Sequence, residues 1–284
     1  QPGRVVMAAM DWLPEEENFQ TAGETLRHQV ENQPRCEMGN FWHKQIYPYQ
    51  VWLDGLYMGQ PFYAAYDTRF GKKENYRDIK DQFMNVRKHL FVEDKKLYMH
   101  AYDEKCVQPC LSPNFWLRAI GWYLVGIVDT YEEMAEMVFE MREALVPLFQ
   151  EAIEGLMPYR DEETGLFYDL VALPDLDGNY IETSGSLLVA YSILKACRLK
   201  MINPDIYLPI GKAMLETVHD TFLVKSGDHF TLTSMVEVSG LGPGDKRDGS
   251  VAYYLSEPIV ADDHKGMGAF MMAYSELLRT ESQV

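Results

Sequence analysis

The feature that most constrains the fold is an alternation of two kinds of helix along all 284 residues. Helices of the first kind contain glycine and are apolar on nearly every side, which predicts that they are buried on every side. Helices of the second kind are amphipathic and charged, so we expect one face of each to meet solvent. The first kind is predicted at 50–70, 115–131, 184–199 and 265–278, and the second at 17–33, 75–89, 134–156 and 204–222.

Segments with strand and turn signals separate each outer helix from the next inner helix. These segments, 89–104, 165–182 and 229–257, mix β-branched and aromatic residues with Asp and Gly, as short hairpins do. Because they recur at the same place in successive helix pairs, closing the pairs into a ring gathers them at one end. The sequence therefore predicts an all-α fold, an α/α toroid with short β-hairpins at one end. A plain α-solenoid is the alternative.

The helical pattern continues without a linker or a change in composition, so we predict a single domain over residues 1–284. About nine helices are recognisable, whereas a six-hairpin ring has about twelve. We therefore expect a ring that is incomplete at its N-terminus, or one whose first members precede residue 1. The functional site is expected among the hairpin loops.

The charge of the chain excludes several classes of partner. Asp and Glu number 43 against 26 Lys and Arg, and the net charge of −17 has the wrong sign for a phosphate backbone. No apolar stretch reaches the roughly 20 residues that span a membrane. The cysteines, at 36, 106, 110 and 197, follow no zinc or dithiol spacing and are expected to be free thiols. We expect no nucleic-acid or membrane partner, no metal, no cofactor and a cytoplasmic location.

The densest group of aromatic and titratable residues lies between 40 and 58. Trp42, His43 and Trp52 stand at the entrance to an apolar helix that carries Asp54 and Met58. A carboxylate in a buried helix is costly unless it is paired or functional; capping of the helix by Asp54 is the alternative. Aromatic rings beside a carboxylate suit a sugar, because ring faces stack on C–H surfaces while polar groups bind hydroxyls.

A second group, His100, Tyr102, Asp103 and Glu104, ends the first predicted hairpin. Titratable groups this close shift one another's pKa values, as they do in active sites. A plain solvated turn is the alternative interpretation.

A third group begins with Arg118 and Trp122, four residues apart on one face of an apolar helix. A buried Arg requires a carboxylate partner, which is either a ligand or a protein residue such as Asp54 or Asp103. Both possibilities stay open at this point.

Several long blocks of the sequence resemble the unsaturated rhamnogalacturonyl hydrolases, glycoside hydrolase family 105, which are related to the unsaturated glucuronyl hydrolases of family 88. The resemblance runs from about residue 35 to residue 276, in the family's order. It implies an (α/α)6 barrel that removes a terminal Δ4,5-unsaturated galacturonyl residue from pectin or rhamnogalacturonan lyase products. The blocks are FWHKQIYPYQVWLDGLYMGQPF, HAYDE, LSPNFWLRAIGWY, GNYIETSGS and YYLSEPIV.

The resemblance also implies roles for individual residues. Asp54 matches one of the family's two essential aspartates, and residues 100–104 match its sugar-binding stretch. Phe167 and Asp169 fall where the family has an aromatic platform and polar sugar contacts. The resemblance and the groups above together predict Asp54 and Asp103 as catalytic and the following as substrate-binding: Trp42, His43, Trp52, Met58, His100, Tyr102, Glu104, Arg118, Trp122, Phe167, Asp169 and Arg247.

One part of the family pattern is missing. Family members carry their principal proton donor in a Trp-x-Asp segment, but residues 105–111 contain neither Trp nor Asp. Either a loop is absent from this sequence, or the protein lacks the donor, or Asp103 replaces it. A non-catalytic sugar-binding relative and a toroid glycosidase acting on saturated sugars are therefore the alternatives to an enzyme that acts on an unsaturated oligosaccharide.

Overall fold

The computed structural model describes residues 2–105, 112–242 and 247–281 and is mostly helical. Its helices are α1 (Pro2–Trp12), α2 (Glu17–Glu31), α3 (Leu53–Arg69), α4 (Tyr76–Leu90), α5 (Leu117–Glu133), α6 (Phe139–Glu143), α7 (Leu145–Leu156), α8 (Thr183–Arg198), α9 (Pro204–Thr217), α10 (Val251–Tyr254) and α11 (His264–Glu281). Its strands are β1 (Gln50–Trp52), β2 (Phe91–Val92), β3 (Leu97–Tyr98), β4 (Ala101–Asp103), β5 (Leu223–Ser226), β6 (His229–Leu232), β7 (Met235–Val236) and β8 (Ile259–Val260).

The inner layer is an arc in which α3 packs on α5, α5 on α8 and α8 on α11. Helices α5 and α8 are buried along nearly their whole length, as predicted from their apolar sequences. Helix α3 approaches α5 so closely that a Cβ on Gly126 would lie 3.1 Å from the backbone nitrogen of Tyr57. Gly126 therefore serves close packing, and the predicted alternation of inner and outer helices is confirmed for α3, α5 and α8.

Helix α11 differs from the prediction that it is buried on every side. Gly266, Ala269 and Ala273 are buried, whereas Met271 is 65% and Tyr274 is 51% exposed. The reason is that α11 packs on α8 and α9 with one face only.

The outer layer also departs from the prediction in one place. The single helix predicted at 134–156 is wrong, because the chain leaves α5 at Met134 in an extended conformation before α6 and α7 begin. The smaller helix α1, which was not predicted, packs Met7 and Met10 onto Phe62 of α3.

The strands form four two-stranded sheets among the described residues. The hairpin predicted within 89–104 exists as β2 and β3, but β4 pairs instead with β1, which lies before α3. The hairpin predicted at 165–182 is reduced to a single antiparallel bridge, between Tyr168 and Ile181. In the third segment, β6 pairs with β5 and β7 pairs with β8.

Three expectations concern single features of the chain. Cys36 and Cys197 are buried free thiols, whereas Cys106 and Cys110 lie outside the described residues. No helix in the described ranges has the length and apolarity needed to cross a membrane. Within those ranges, no group of three or more His, Cys, Asp or Glu side chains is arranged to hold a metal ion.

Candidate active site

The pairing of β1 with β4 brings two of the predicted site residues, Asp54 and His100, together. Trp52 pairs with Ala101, and the backbone N–H of Leu53 donates to the carbonyl of His100 at 3.1 Å. Asp54, in the first turn of α3, therefore meets the side chain of His100. The distance from Asp54 Oδ2 to His100 Nε2 is 3.3 Å.

Asp54 is a buried carboxylate that does not cap its helix. Trp52 occupies the N-cap position without a side-chain hydrogen bond, so the capping alternative for Asp54 is wrong. Burial would by itself raise the pKa of Asp54, but the His100 ring outweighs it and holds that pKa below its ordinary value. The N-terminus of α3 also favours the charged form. An ionised carboxylate is thus held in an apolar wall, 7% exposed.

His100 is fully buried and connects Asp54 to Tyr254. Its Nδ1 lies 2.8 Å from the hydroxyl of Tyr254, whose pKa burial raises well above the usual value. Because Asp54 is ionised and can only accept, the arrangement favours the ring proton on Nε2, with the Tyr254 hydroxyl donating to Nδ1. His100 therefore positions Asp54 from behind.

Replacing Tyr254 with Phe tests this arrangement. With the unsaturated oligosaccharide that the family resemblance implies as substrate, we expect kcat to fall about tenfold with little change in KM. Losing one neutral hydrogen bond costs about 1 kcal/mol, and it also frees the His100 ring to turn. The pH dependence of kcat should also shift, which a purely structural role would not cause. Steady-state kinetics across pH give all three quantities.

The matched control is Tyr98→Phe, which removes another buried hydroxyl, one that donates to Glu151 at 2.9 Å and not to His100. It should lose similar stability but keep kcat and its pH profile. Equal kinetic effects in the two variants would contradict the positioning role of Tyr254.

A cavity of about 450 Å³ opens beside Asp54, and we call it the charged cavity. Lys44, Arg118, Arg247 and Lys265 line it, whereas Asp54 is the one carboxylate that the described residues contribute to its wall. Its aromatic walls include Trp52, Trp116 and Trp122. An excess of cations over carboxylates in a small cavity favours an anionic ligand.

The four cations differ in how far they are already neutralised. Lys265 Nζ lies 2.8 Å from an Asp263 oxygen, and Arg247 Nε lies 3.6 Å from a Glu257 oxygen. Lys44 and Arg118 form no ion pair with a carboxylate in the described part of the chain, but Lys44 is exposed, so solvent screens its charge. Arg118 is buried. It is the cation best placed to meet a carboxylate brought by a ligand.

The guanidinium of Arg118 is held by neutral oxygens. It donates to the carbonyl of Val236 at 2.6 Å, to the carbonyl of Glu237 at 3.1 Å and to the hydroxyl of Ser184 at 3.1 Å. Arg118 is 1% exposed, and its Nε has no hydrogen-bond partner. The predicted alternative of an ion pair with Asp54 or Asp103 is therefore wrong, and contact of Arg118 with a ligand stays a prediction.

His43 and Trp52 form a rigid wall of the charged cavity. Their rings are stacked with centroids 4.1 Å apart. Burial lowers the pKa of His43 to about 4, against the opposing pull of Asp54, so this ring is neutral at neutral pH. Asp103 supports the wall indirectly: it accepts from Gln50, which in turn accepts from the Trp52 indole.

Asp169 lies behind the charged cavity rather than in its lining. Its Oδ1 accepts the indole N–H of Trp116 at 2.9 Å, and its Oδ2 has no hydrogen-bond partner among the described residues. Burial, reinforced by the nearby charge of Glu182, raises the pKa of Asp169 to about 8. Asp169 is therefore protonated at neutral pH and holds Trp116 against the cavity.

The raised pKa of Asp169 makes stability depend on pH. The unfolded chain releases this proton near pH 4, whereas the folded chain keeps it to about pH 8. As the pH rises from about 4 to about 8, this group should therefore lower the free energy of unfolding by up to about 1.4 kcal/mol per pH unit. Asp169→Asn should remove that slope in denaturant unfolding at several pH values. The exposed control Asp177→Asn should keep it, and an unchanged slope in Asp169→Asn would contradict the prediction.

The fourteen predicted site residues fall into three groups. Seven of the predicted residues line the charged cavity: His43, Trp52, Asp54, Met58, Arg118, Trp122 and Arg247. Phe167, His100 and Asp169 are buried behind it. The remaining ones lie elsewhere: Trp42 lines a second cavity, and Tyr102, Asp103 and Glu104 lie on β4 and the turn after it, outside the charged cavity.

The sequence prediction missed part of the site. Trp116, Ser239, His264 and Lys265 line the charged cavity but were not selected. His264 and Lys265 begin α11 much as Asp54 begins α3, so the same rule, polar residues at the start of an inner helix, could have found them. The expected Trp-x-Asp position falls within residues 106–111, outside the described residues.

Comparison with known proteins identifies the chain. Residues 2–281 match the sequence model of Glycosyl Hydrolase Family 88. The chain belongs to this family. A glycoside hydrolase of family 105 from C. acetobutylicum ATCC 824 has a similar structure, with a TM-score of 0.93 and 36% identity, covering 98% of this chain and 78% of that one. This likeness confirms the predicted (α/α)6 toroid class for the family 88 chain.

Two curated relatives add to this. A 24.9 kDa protein of the picA locus in Rhizobium radiobacter is 35% identical over 235 residues, which are 78% of this chain and 98% of that protein. The unsaturated rhamnogalacturonyl hydrolase YesR of Bacillus subtilis (strain 168) is 25% identical over 186 residues, 64% of this chain and 52% of that protein. The family 88 chain is thus a glycoside hydrolase by family, and its ligand is expected to be a saccharide.

Proposed function

We propose that this family 88 chain removes a terminal Δ4,5-unsaturated galacturonyl residue from rhamnogalacturonan or pectin lyase products. The observation that carries the proposal is the charged cavity, in which Arg118 is buried without a carboxylate partner and Asp54 is the one carboxylate from the described residues. A uronate supplies the missing carboxylate for Arg118 and sugar faces for Trp52 and Trp122. The relative named for unsaturated rhamnogalacturonyl hydrolysis supports this choice of sugar.

The reaction is hydration of a vinyl ether. A proton adds to C4 of the C4=C5 double bond, and water supplies a hydroxyl to C5 and returns a proton to the enzyme. The resulting hemiketal opens to a ketone at C5, the C1 hemiacetal loses the neighbouring sugar as an alcohol, and C1 becomes an aldehyde. Proton transfer is therefore the task that side chains must perform.

Asp54 is the residue placed to transfer these protons. Its pKa is lowered, so it is ionised and suited to accept a proton from water. A bound uronate brings a second negative charge and excludes water, and both effects raise the pKa of a neighbouring carboxylate. Substrate binding therefore favours the protonated form of Asp54, which then serves as the acid.

The test follows the double bond directly. Purified protein is incubated with unsaturated rhamnogalacturonan disaccharide while the absorbance of the vinyl ether is recorded. We expect the absorbance to disappear and one free sugar to form per double bond lost. An unsaturated glucuronyl disaccharide and the saturated disaccharide are the comparison substrates. The terminal unsaturated uronate is the same in the two unsaturated disaccharides, because C4 is no longer a stereocentre. Faster loss with the glucuronyl compound would therefore reassign the neighbouring sugar and its linkage, and turnover of the saturated disaccharide alone would contradict the proposal.

A second candidate is a sugar-binding protein without catalysis. It is favoured by one observation: residues 105–111 contain neither the Trp nor the Asp of the family's donor segment. Calorimetric titration with the same unsaturated disaccharide distinguishes the two. Binding without any loss of absorbance would support this candidate and overturn hydrolysis.

A further inference from the structure

A second cavity, of about 270 Å³, adjoins the charged cavity along the wall that His43 and Trp52 form. His43, Trp52 and Met58 line both cavities. The second cavity extends from this wall toward α1 and α2. Its volume is at the small end of the range for ligand pockets, about 300 Å³ and upward, and matches one sugar ring rather than a chain.

The lining of this second cavity is uncharged. Among the described residues that line it there is no Asp, Glu, Lys or Arg, in contrast to the four cations of the charged cavity. Its polar side chains are mainly the amides of Gln29, Gln33, Asn40, Gln60 and Gln82. Amides with aromatic rings and without charge are suited to a neutral polyhydroxylated ligand, because an amide both donates and accepts.

Four of the lining residues carry a buried polar atom without a hydrogen-bond partner in the described structure. These atoms are Asn40 Oδ1, Trp42 Nε1, His43 Nδ1 and Gln60 Oε1. Buried polar atoms without partners are rare, and each costs about 1–3 kcal/mol. Four of them around one cavity point to a missing polar partner.

The amide orientation of Asn40 is set by its surroundings. Its Nδ2 donates to the carbonyl of Gln82 at 2.8 Å, so Oδ1 is the atom left over. Asn40 is 0% and Gln60 is 1% exposed, so neither side chain is satisfied by bulk solvent. Two acceptors and the indole donor of Trp42 are therefore available to a ligand that carries hydroxyl groups.

We propose that this neutral cavity binds one uncharged sugar ring, a site distinct from the uronate site. The inference rests on the proposed function for its sugar chemistry. Sugar hydroxyls donate to Asn40 and Gln60 and accept from the Trp42 indole, while the C–H face of the ring meets the aromatic wall. The absence of charge excludes a uronate there, since its carboxylate would be buried without a cation. The sugar is either the leaving group of the substrate or a free monosaccharide.

Indole resonances give a site-specific test. The chain has five tryptophans, so ¹⁵N-tryptophan labelling gives five indole N–H signals. Trp42 lines only the neutral cavity and Trp122 only the charged one, and Trp42→Phe and Trp122→Phe assign the two signals. We expect L-rhamnose or D-galactose to shift the Trp42 signal with half-saturation in the millimolar range and to leave Trp122 unchanged. D-galacturonate should show the reverse.

Gln60→Leu removes one of the proposed partners at nearly constant volume. It should weaken the response of the Trp42 signal to neutral sugar at least tenfold and leave the response of Trp122 to galacturonate intact. The control Gln150→Leu removes an amide that donates to Met201 at 2.8 Å, away from both cavities, and should change neither response. No shift of Trp42 with either neutral sugar, or an equal shift with galacturonate, would overturn the proposal.

A kinetic arm distinguishes the two sources of the sugar. If the leaving sugar occupies the neutral cavity, free rhamnose competes with the disaccharide, and Gln60→Leu raises KM for the disaccharide. If a free sugar binds there instead, added rhamnose should inhibit or activate the reaction to the same extent at every disaccharide concentration. The titration of Trp42 needs no turnover, so its outcome is independent of whether the chain hydrolyses unsaturated uronides.

Discussion

Asp54→Asn should lower kcat about a thousandfold, within the range that general acid–base groups contribute. The amide keeps the shape of the carboxylate but cannot accept a proton from water or return one to C4. Because the amide oxygen of asparagine can still accept from the His100 ring, which lies 3.3 Å from Asp54 Oδ2, the amide should cost little stability. Initial rates from the vinyl-ether absorbance and the midpoint of urea unfolding give both quantities.

The matched control is Asp67→Asn on the same helix. Asp67 is also buried, but its carboxylate accepts from the backbone and side chain of Asn75 at 3.0 and 2.8 Å, at the other end of α3. This variant should lose stability and keep its rate. A nearly normal rate in Asp54→Asn would remove Asp54 from the reaction and leave the proposed mechanism without its proton carrier.

Arg118→Met should raise KM for the unsaturated disaccharide by about 10- to 100-fold, the value of one or two charge-assisted hydrogen bonds. The sharper readout is selectivity. The wild-type protein should prefer the free acid to its methyl ester, because the ester carries no charge for Arg118 to meet. In Arg118→Met this preference should disappear. Kinetics with the acid and the ester, measured on both proteins, give the ratio.

Because Arg118 also holds the carbonyls of Val236 and Glu237, its loss affects folding. Arg118→Lys keeps the positive charge but loses the planar guanidinium with its paired N–H donors, so it should retain part of the preference for the acid. Arg142→Met is the remote control, since Arg142 donates to the carbonyl of Tyr131 at 3.1 Å away from the cavity. Retention of the full preference in both Arg118 variants would show that another cation binds the substrate carboxylate.

Local patterns in the sequence were enough to predict much of the inner layer. The apolar sequences of α5 and α8 predict complete burial, because a helix without a polar face has no stable contact with water. The helix predicted at 134–156 was wrong for a reason that periodicity does not reveal. The segment carries amphipathic character throughout, but Pro147 lies in the first turn of α7, where a proline is tolerated because its missing N–H has no intrahelical partner there. A helix that continued through Pro147 would lose a backbone hydrogen bond.

The net charge illustrates the limit of composition. A charge of −17 suggests that the protein repels anions, yet the charged cavity concentrates Lys44, Arg118, Arg247 and Lys265. Salt screens exposed charges beyond about 8 Å at physiological ionic strength, so the nearest side chains decide what the cavity attracts. Those neighbours come from distant parts of the chain, and only the folded structure brings them together.

The sequence by itself determined the helical class, the family resemblance and the selection of Asp54, because these depend on residue type and spacing along the chain. The tertiary structure alone decided what surrounds each selected residue. It placed His100 and Tyr254 behind Asp54 and left Arg118 without a carboxylate partner among the described residues. It also placed Asp103 outside the charged cavity, where its carboxylate accepts a hydrogen bond from Gln50. The physical reason is that contacts, burial and pKa values depend on strand pairing and helix packing between residues far apart in sequence, which local patterns do not encode.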